Sequence, residues 1–334
     1  MIIGLTFDLK DDYLSRGLSP EETAEFDSAE TINGIETAIR ARGHTVDRIG
    51  NIHSLAARLV SGAAWDFVFN IAEGLTGLGR ESQVPCLLEA WNIPYSFSDP
   101  LVLALCLHKG MTKRVIRDAG LATPAFTVLE TAAQARQVNL PYPLFAKPVA
   151  EGTGKGISAA SKIQTPVALE QTAAALLAKF RQGVLVETFL PGREFTVGIT
   201  GTAAEARAVG CMEIHYGGGA EGEAYSYITK AEYEKRVSYT PARDKTAQKA
   251  AELALAAYRV LGCRDGGRAD LRCDAAGEPN FIEINPLAGL NPIHSDLPIA
   301  ARLAGVSYEQ LIQEILESGL KRAGLMPKSG HKQG

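Results

Sequence analysis

GGRADLRCDAAGEPNFIEINPLAGLNP, residues 266–292, decides how the rest of the chain is read. Apolar residues alternate with Arg268 and Asp270, then again with Glu283 and Asn285, and a polar run separates the two segments. A period of two on either side of polar turn residues predicts an antiparallel hairpin. With a turn over Asp274–Pro279, Cys273 pairs with Asn280 and Asp270 falls opposite Glu283. That register also keeps Pro279, which has no N–H, out of the ladder. Directly opposed residues share a face, so two carboxylates meet at one spot and repel unless cations separate them. A sheet needing only a solvated face would use Lys, Thr and Ser more cheaply.

The 334 residues suffice for two or three domains with a real core. Hydrophobic residues make up 46% and charged residues 22%, the balance of an ordinary globular chain. A net charge of −4 argues against nucleic acid as a partner. No apolar run reaches the roughly 18 residues of a membrane span, and the acidic start MIIGLTFDLKDD lacks a signal peptide's basic region. Cys86, Cys106, Cys211, Cys263 and Cys273 are scattered without C-x-x-C spacing, which predicts reduced thiols and a cytoplasmic protein. No H-x-x-x-H pair offers a zinc site.

Upstream, strand-like and helix-like segments alternate: IIGLTFDL, the helix 29–42 ended by Gly43, HTVDRIG, SLAARLVSG, DFVFNIA, VPCLLEAWN and the short strand IPYSF. This rhythm predicts an open parallel α/β unit over residues 1–103, Rossmann-like but without G-x-G-x-x-G after its first strand. Residues 104–186 predict a smaller α+β unit. In it, the helical stretches PLVLALCLHKGMTKRVIRDAG (which begins just before the boundary) and TPVALEQTAAALLAKFRQ flank the strands FTVL, LFAKPVA and GISAASKI. Residues 187–325 carry longer strands, a Gly-rich stretch, the hairpin and a closing amphipathic helix, and 326–334 read as a loose tail.

PLFAKPVAEGTGKGIS, residues 143–158, places Lys147 at the end of an apolar strand, just before a Gly-rich loop. Glycine lets backbone N–H groups approach phosphate oxygens closely, and lysine adds a point charge. The loop is not a Walker A loop, which would need glycine where Val149 stands. Lys109 is a second lysine, at the start of the small unit and ahead of its strands. Glu187 and Glu194, seven residues apart around Phe189 and Leu190, suit an adenine amino group and a ribose diol with the ring against the apolar pair.

Taken in order, HK…TK (108–113), FAKPVAEGTGKG (145–156), VLVETFLPGREFTV (184–197), GRADLRCD (267–274), FIEINPLAGL (281–290) and HSDLPIAARLAG (294–305) resemble the D-alanine–D-alanine ligases of the ATP-grasp superfamily, over residues 2–320. The resemblance implies an ATP-grasp fold with a pre-ATP-grasp domain in front and ATP held between two α+β subdomains. It implies that Lys109 and Lys147 bind ATP phosphates beneath a closing loop of Glu151, Gly152, Thr153, Gly154, Lys155 and Gly156. Glu187, Thr188, Phe189, Leu190 and Ile282 would take the adenine, Glu194 the ribose, and Lys230 a phosphate. Asp270, Glu283 and Asn285 look like ligands of two Mg²⁺ ions, for which Mn²⁺ can substitute. Arg268, with Lys230 and Gly289, looks like the catalytic group, Arg268 stabilising the oxyanion of a tetrahedral intermediate. The implied activity is ligation of a small-molecule carboxylate to an amine through an acyl phosphate, by a homodimer.

The departures gather at the acceptor end. The family's His-Gly is Glu73-Gly74 here, followed by a rearranged loop with Arg80 and Glu81. Its Ser-Ser pair is Thr153-Gly154, and Ala231 stands where Tyr follows the phosphate lysine. Ser295 matches the serine that holds a substrate carboxylate. Glu25, Asp27 and Glu30 are candidates for the amine-binding glutamate, while Glu73 facing an amine and Arg80 facing a carboxylate is the expectation for the loop. Substrates other than two D-alanines are therefore expected. An authentic D-alanine–D-alanine ligase, a non-ligating ATP-binding regulator and a phosphorylating enzyme that forms no amide stay open as alternatives.

Overall fold

A computed structural model describes residues 1–216 and 237–326, with Lys230, Ala231 and the tail from 327 outside the described residues. Three sheets organise it. The first is parallel, with β1 (Ile2–Thr6) between β2 (Thr45–Gly50) and β3 (Phe67–Asn70). Ser28 caps the helix Ala29–Ala41 by accepting from the Thr31 N–H, and the buried Ile32, Ile35 and Ile39 recur at helical spacing to cover this sheet. The expected strand IPYSF is only one bridge, between Tyr95 and Val68. Phe97 adopts φ +68° and turns the chain away after Ser96 has accepted a 2.9 Å bond from the Asn70 N–H.

The second sheet runs β4 (Phe126–Leu129), β7 (Val184–Thr188), β5 (Leu144–Pro148), β6 (Lys162–Ile163) and is antiparallel throughout. GISAASKI does not form the full strand expected: Ala159–Ser161 is a 3₁₀ turn and only two residues pair. The helical stretch from Pro100 is two helices, Pro100–Leu107 and Lys109–Asp118. His108 breaks it at ψ 89°, then caps the second helix through Nδ1, which accepts from the Met111 N–H at 3.2 Å. The break lets the Lys109 N–H donate to the Val149 carbonyl at 2.8 Å, beside the Gly-rich loop.

The third sheet has the order β10 (Val237–Pro241), β9 (Arg207–Tyr216), β8 (Glu194–Thr200), β11 (Gly266–Cys273), β12 (Pro279–Asn285). Helices Lys245–Val260 and Asp296–Leu303 pack on it. The second lies so close that a Cβ at Gly210 would stand 2.1 Å from the Ala300 carbonyl oxygen. In the hairpin Asp270 does oppose Glu283, but by another route than expected. Cys273 pairs with Pro279 and Leu271 with Phe281, and Ile282 is then the extra residue of a β-bulge. Pro279 therefore lies in the ladder, as the first residue of its strand, where a missing N–H is tolerated.

The helix Tyr308–Arg322 returns to the first sheet, with Leu311 and Ile315 in one core with Ile32 and Ile35. Asp265, fully buried, fastens this return. It accepts from the Phe97 N–H at 2.8 Å, Thr202 Oγ1 at 3.0 Å, Ser318 Oγ at 2.9 Å and Arg322 Nη2 at 2.8 Å. Asp265→Ala leaves the buried Phe97 N–H without an acceptor and takes the partner from the partly exposed Arg322, so urea denaturation should show a loss of about 2–3 kcal/mol. Glu278→Ala, which breaks the exposed 2.6 Å pair with Lys249, should cost no more than about 1 kcal/mol.

Candidate active site

Two adjoining cavities lie where the three sheets meet, and Thr153, Arg268, Glu283 and Asp296 line both. The smaller, about 110 Å³, has an apolar floor of Phe145, Phe189, Leu190 and Ile282, with Lys147, Glu187, Glu194 and Asp270 on its walls. The bulge accounts for Ile282, because it puts two successive β12 side chains, Ile282 and Glu283, into the same cavity. Phe189 lies between Lys162 at 4.3 Å and Arg272 at 5.0 Å from its ring centre. Glu194 pairs with Arg272 at 3.1 Å and accepts from the Tyr216 hydroxyl at 2.9 Å. The buried Thr188 hydroxyl has no partner among the described residues.

A chain of alternating charge runs through the floor. Lys113 meets Glu187 at 2.7 Å, Lys147 stands 3.6 Å from Glu187 and 3.1 Å from Glu283, and Lys109 is 3.8 Å from Glu283. Burial opposes the charge of Lys147, but Glu283 and Glu187 hold its ammonium above the ordinary range. Burial also opposes ionisation of Glu283, yet Lys109, Lys147 and Arg268 hold its carboxyl far below the usual range. Asp270 pairs with Arg268 and accepts from Thr196 Oγ1 at 2.7 Å. Burial nevertheless raises Asp270, with Glu283 and Asp296 adding to the effect against Arg268. Asn285 lines the larger cavity, its Oδ1 accepting from the Leu287 N–H at 3.0 Å. Asp270, Glu283 and Asn285 thus offer hard oxygen donors on neighbouring strands, a set that fits Mg²⁺.

The Gly-rich loop is folded down over this floor. Lys109 Nζ donates to the Glu151 carbonyl at 2.6 Å, and Lys155 pairs with Glu151 at 2.6 Å and with Glu25 at 3.1 Å. Glu25 also accepts from the Gly152 N–H at 2.7 Å and pairs with Arg80 at 3.0 Å. Thr153, Gly154 and Gly156 take φ of +55°, +71° and +78°, which explains a loop rich in glycine. Arg80, expected to face a substrate carboxylate, instead donates to Glu25 and to the Ala150 carbonyl at 2.8 Å and is not among the residues lining either cavity. It braces the loop.

The larger cavity, about 420 Å³, extends from Arg268 and Asn285 past Gly289 and Ser295 to Glu25, Asp27, Glu73 and Glu81. Ser295 Oγ accepts from the Asn291 N–H at 3.0 Å, and Glu30 is exposed at the margin. Gly74, at φ +72°, donates to Asp8 at 2.9 Å and so fixes the loop that carries Glu73. The sequence reading gave no role to Arg272, Thr196, Lys162 or Asp296. Arg272 was recoverable, since it continues the alternation of Arg268 and Asp270. Thr196 meets Asp270 only through the pairing of β8 with β11, which no local pattern encodes.

An open parallel sheet followed by two α+β units that close on a lysine- and carboxylate-lined cleft is the ATP-grasp fold. The solved D-alanine–D-alanine ligase of Bacillus anthracis complexed with ATP superposes with a TM-score of 0.71, at 21% identity, over 97% of this chain and 99% of its own. The family model described as D-ala D-ala ligase C-terminus matches residues 115–317. A D-alanine–D-alanine ligase of Bordetella petrii is 37% identical over 77% of both chains. One of Xanthomonas axonopodis pv. citri is 32% identical over 91% of this chain and 92% of its own. The chain belongs to the D-alanine–D-alanine ligase family. It is accordingly an ATP-dependent ligase that forms a carbon–nitrogen bond. No helix among the described residues is long and apolar enough to cross a membrane, and all five cysteines are unbridged.

Burial and the charge of Asp8 push Asp27 up to about 8, against the Thr31 hydroxyl that holds it down. Between roughly pH 4, where the unfolded carboxyl ionises, and pH 8, folding therefore takes up a proton, and stability falls as pH rises. Asp27→Asn removes this group's share. In urea denaturation its stability advantage over the parent should grow from near zero at about pH 4 to on the order of a few kcal/mol at about pH 8. A constant gap would mean that Asp27 is ionised in the free protein.

Proposed function

We propose that the enzyme binds ATP in the smaller cavity and joins an amino-acid-like carboxylate to an amine in the larger one, through an acyl phosphate. The observation that carries this reading is the shared wall: Arg268 and Glu283 line both cavities, where a γ-phosphate and a substrate carboxylate would meet. Phe189, Leu190 and Ile282 give the adenine apolar contact, the unpartnered Thr188 hydroxyl and Glu187 give it polar groups, and Glu194 takes the ribose. Asp270, Glu283 and Asn285 would hold magnesium, which would supply charge neutralisation for the phosphoryl group. Mn²⁺ suits the same oxygens.

Lys147 and Lys109 orient the phosphates, while the 151–156 loop excludes water that would hydrolyse an acyl phosphate. The substrate carboxylate attacks the γ-phosphorus and ADP leaves. The amine then attacks the acyl carbon, and Arg268, beside Gly289, faces the oxyanion that forms before phosphate departs. Lys230, on the resemblance, adds a phosphate contact. Ser295, lining the larger cavity, suits a substrate carboxylate. The units 1–103, 104–186 and 187–325 supply the acceptor loops, the closing loop and the metal hairpin respectively. The resemblance also supports a homodimer acting in the cytoplasm. D-alanine as both substrates is the second reading, favoured by the curated relatives.

ADP release should require Mg²⁺ and an added amine, tested with D-alanine beside a panel of amino acids. Arg268→Ala and Lys147→Ala should each lower kcat by about 10²-fold or more. ADP formed with no amine, together with hydroxamate on trapping by hydroxylamine, would reduce the activity to phosphorylation. ATP binding without any turnover would leave a regulator.

A further inference from the structure

The walls of the larger cavity are not balanced in charge. Four of its carboxylates have protein cations. Glu25 meets Arg80 and Lys155, Glu151 meets Lys155, Glu283 meets Lys147, and Asp296 lies 3.5 Å from Arg268. Asp27, Glu73 and Glu81 also line the cavity. Glu81 is only 6% exposed, yet its carboxylate makes no hydrogen bond or ion pair among the described residues. Arg80 and Lys109 act on it through their charge alone, and both are already spent, on Glu25 and on the Glu151 carbonyl. Glu73 is likewise unpaired among the described residues, and burial and the charges of Glu81, Glu25 and Asp27 bear on it, opposed only by the weaker effect of the Arg80 charge. Lys10 lines the cavity as well but makes no ion pair with these three among the described residues, and what bears on Asp27 is burial and the charge of Asp8 against the Thr31 hydroxyl.

A buried carboxyl without a partner is costly, and an apolar side chain here would cost less. The arrangement makes sense if a ligand brings the missing charge, and the one α-ammonium of a neutral amino-acid donor does not answer three such carboxylates. A bare metal ion is not that ligand, because no three acidic, His or Cys side chains among the described residues are grouped to hold one. An extended organic cation is, since it reaches separated carboxylates with separate N–H groups.

We propose that the larger cavity selects a substrate bearing an ammonium or guanidinium group besides the groups that react, held between Glu73 and Glu81 with Asp27 behind them. The inference rests on the reading of this cavity as the substrate end. It adds the class of substrate: a diamino acid or an amino acid with a basic side chain, in place of one with a small neutral side chain. Burial holds Glu81 up at about 7 and Glu73 well above the usual carboxylate range, as expected of acids that ionise fully only when a cation arrives.

The test is calorimetric titration of the full chain, with Mg²⁺ and a non-hydrolysable ATP analogue, against isosteric pairs: ornithine with norvaline and lysine with norleucine, in both enantiomers. At least one cationic member should bind roughly 10- to 100-fold tighter than its neutral partner. Glu73→Gln with Glu81→Gln should abolish that preference, weakening the binding of the cationic member by far more than that of its neutral partner. Glu81→Gln alone, checked by circular dichroism, serves if the double variant does not fold. Equal or weaker binding of every cationic member, or no binding by any of them, overturns the proposal. Amine-dependent ADP release confined to neutral amino acids also overturns it, while leaving the ligase reading intact. A cationic preference without ADP release keeps the proposal and removes the ligase reading.

Discussion

The structure depends on Asp270 and Glu283 facing each other across two strands, and one bulged residue sets that opposition. The turn is one residue shorter than the alternation of the sequence suggests, because Pro279 enters the ladder opposite Cys273. Continued without interruption, that register would pair Asp270 with Ile282 and turn Glu283 to the opposite face, towards the core side of Ala269. The bulge at Ile282 returns Glu283 to the cleft and adds an apolar side chain to the cavity floor. Repulsion between the two carboxylates is then met from three sides, by Arg268, Lys147 and Lys109. Apolar residues in such a buried charge chain would often be as stable or more so. Its retention points to the triphosphate and metal for which the charges are arranged.

The same electrostatics tie the first sheet to the Gly-rich loop. Glu25 stands at the junction, with the Gly152 N–H and Lys155 on one side and Arg80 on the other. Arg80 adds the Ala150 carbonyl, so it grips the root of the loop as well as the group that holds its tip. On the proposed placement of ATP, nucleotide exchange requires the loop to lift, and lifting exchanges these buried contacts for water. The acidic segment after the first strand thus biases the loop towards closure. A single carboxylate ion pair of this burial is worth a few kcal/mol when broken one-sidedly, enough to hold the closed state without locking it.

Much of the fold was legible because its elements are locally consistent. The helix at Ala29 has a Ser cap and an apolar stripe, and the first and third strands are short, mainly apolar runs, IIGLT and FVFN. The failures share a cause, since each is decided by a distant partner. IPYSF reads as a strand, but Asp265 takes the Phe97 N–H and the chain leaves the sheet. PLVLALCLHKGMTKRVIRDAG reads as one helix, but Val149 takes the Lys109 N–H and His108 caps a new start. At the site, the period of two exposed Arg268, Asp270, Glu283 and Asn285 because one hairpin carries them all. Arg80 was misread for the converse reason. Its role is fixed by Glu25 and Ala150, which lie 55 and 70 residues away.

The division between the two cavities has a physical basis. The nucleotide side is electrostatically closed: nearly every buried charge there has a protein partner, so a change to one residue leaves another stranded. The substrate side is open, and Glu73 and Glu81 arrive on a loop whose backbone is fixed independently by Gly74 and Asp8. Side chains on such a loop can change charge without disturbing the alternating chain beneath. Among the residues that touch both sides, Arg268, Glu283 and Asp296 are bound into the charged network and Thr153 belongs to the loop. Phosphoryl chemistry is thereby insulated from substrate choice, and a family defined by its ATP half can accommodate a differently charged acceptor half.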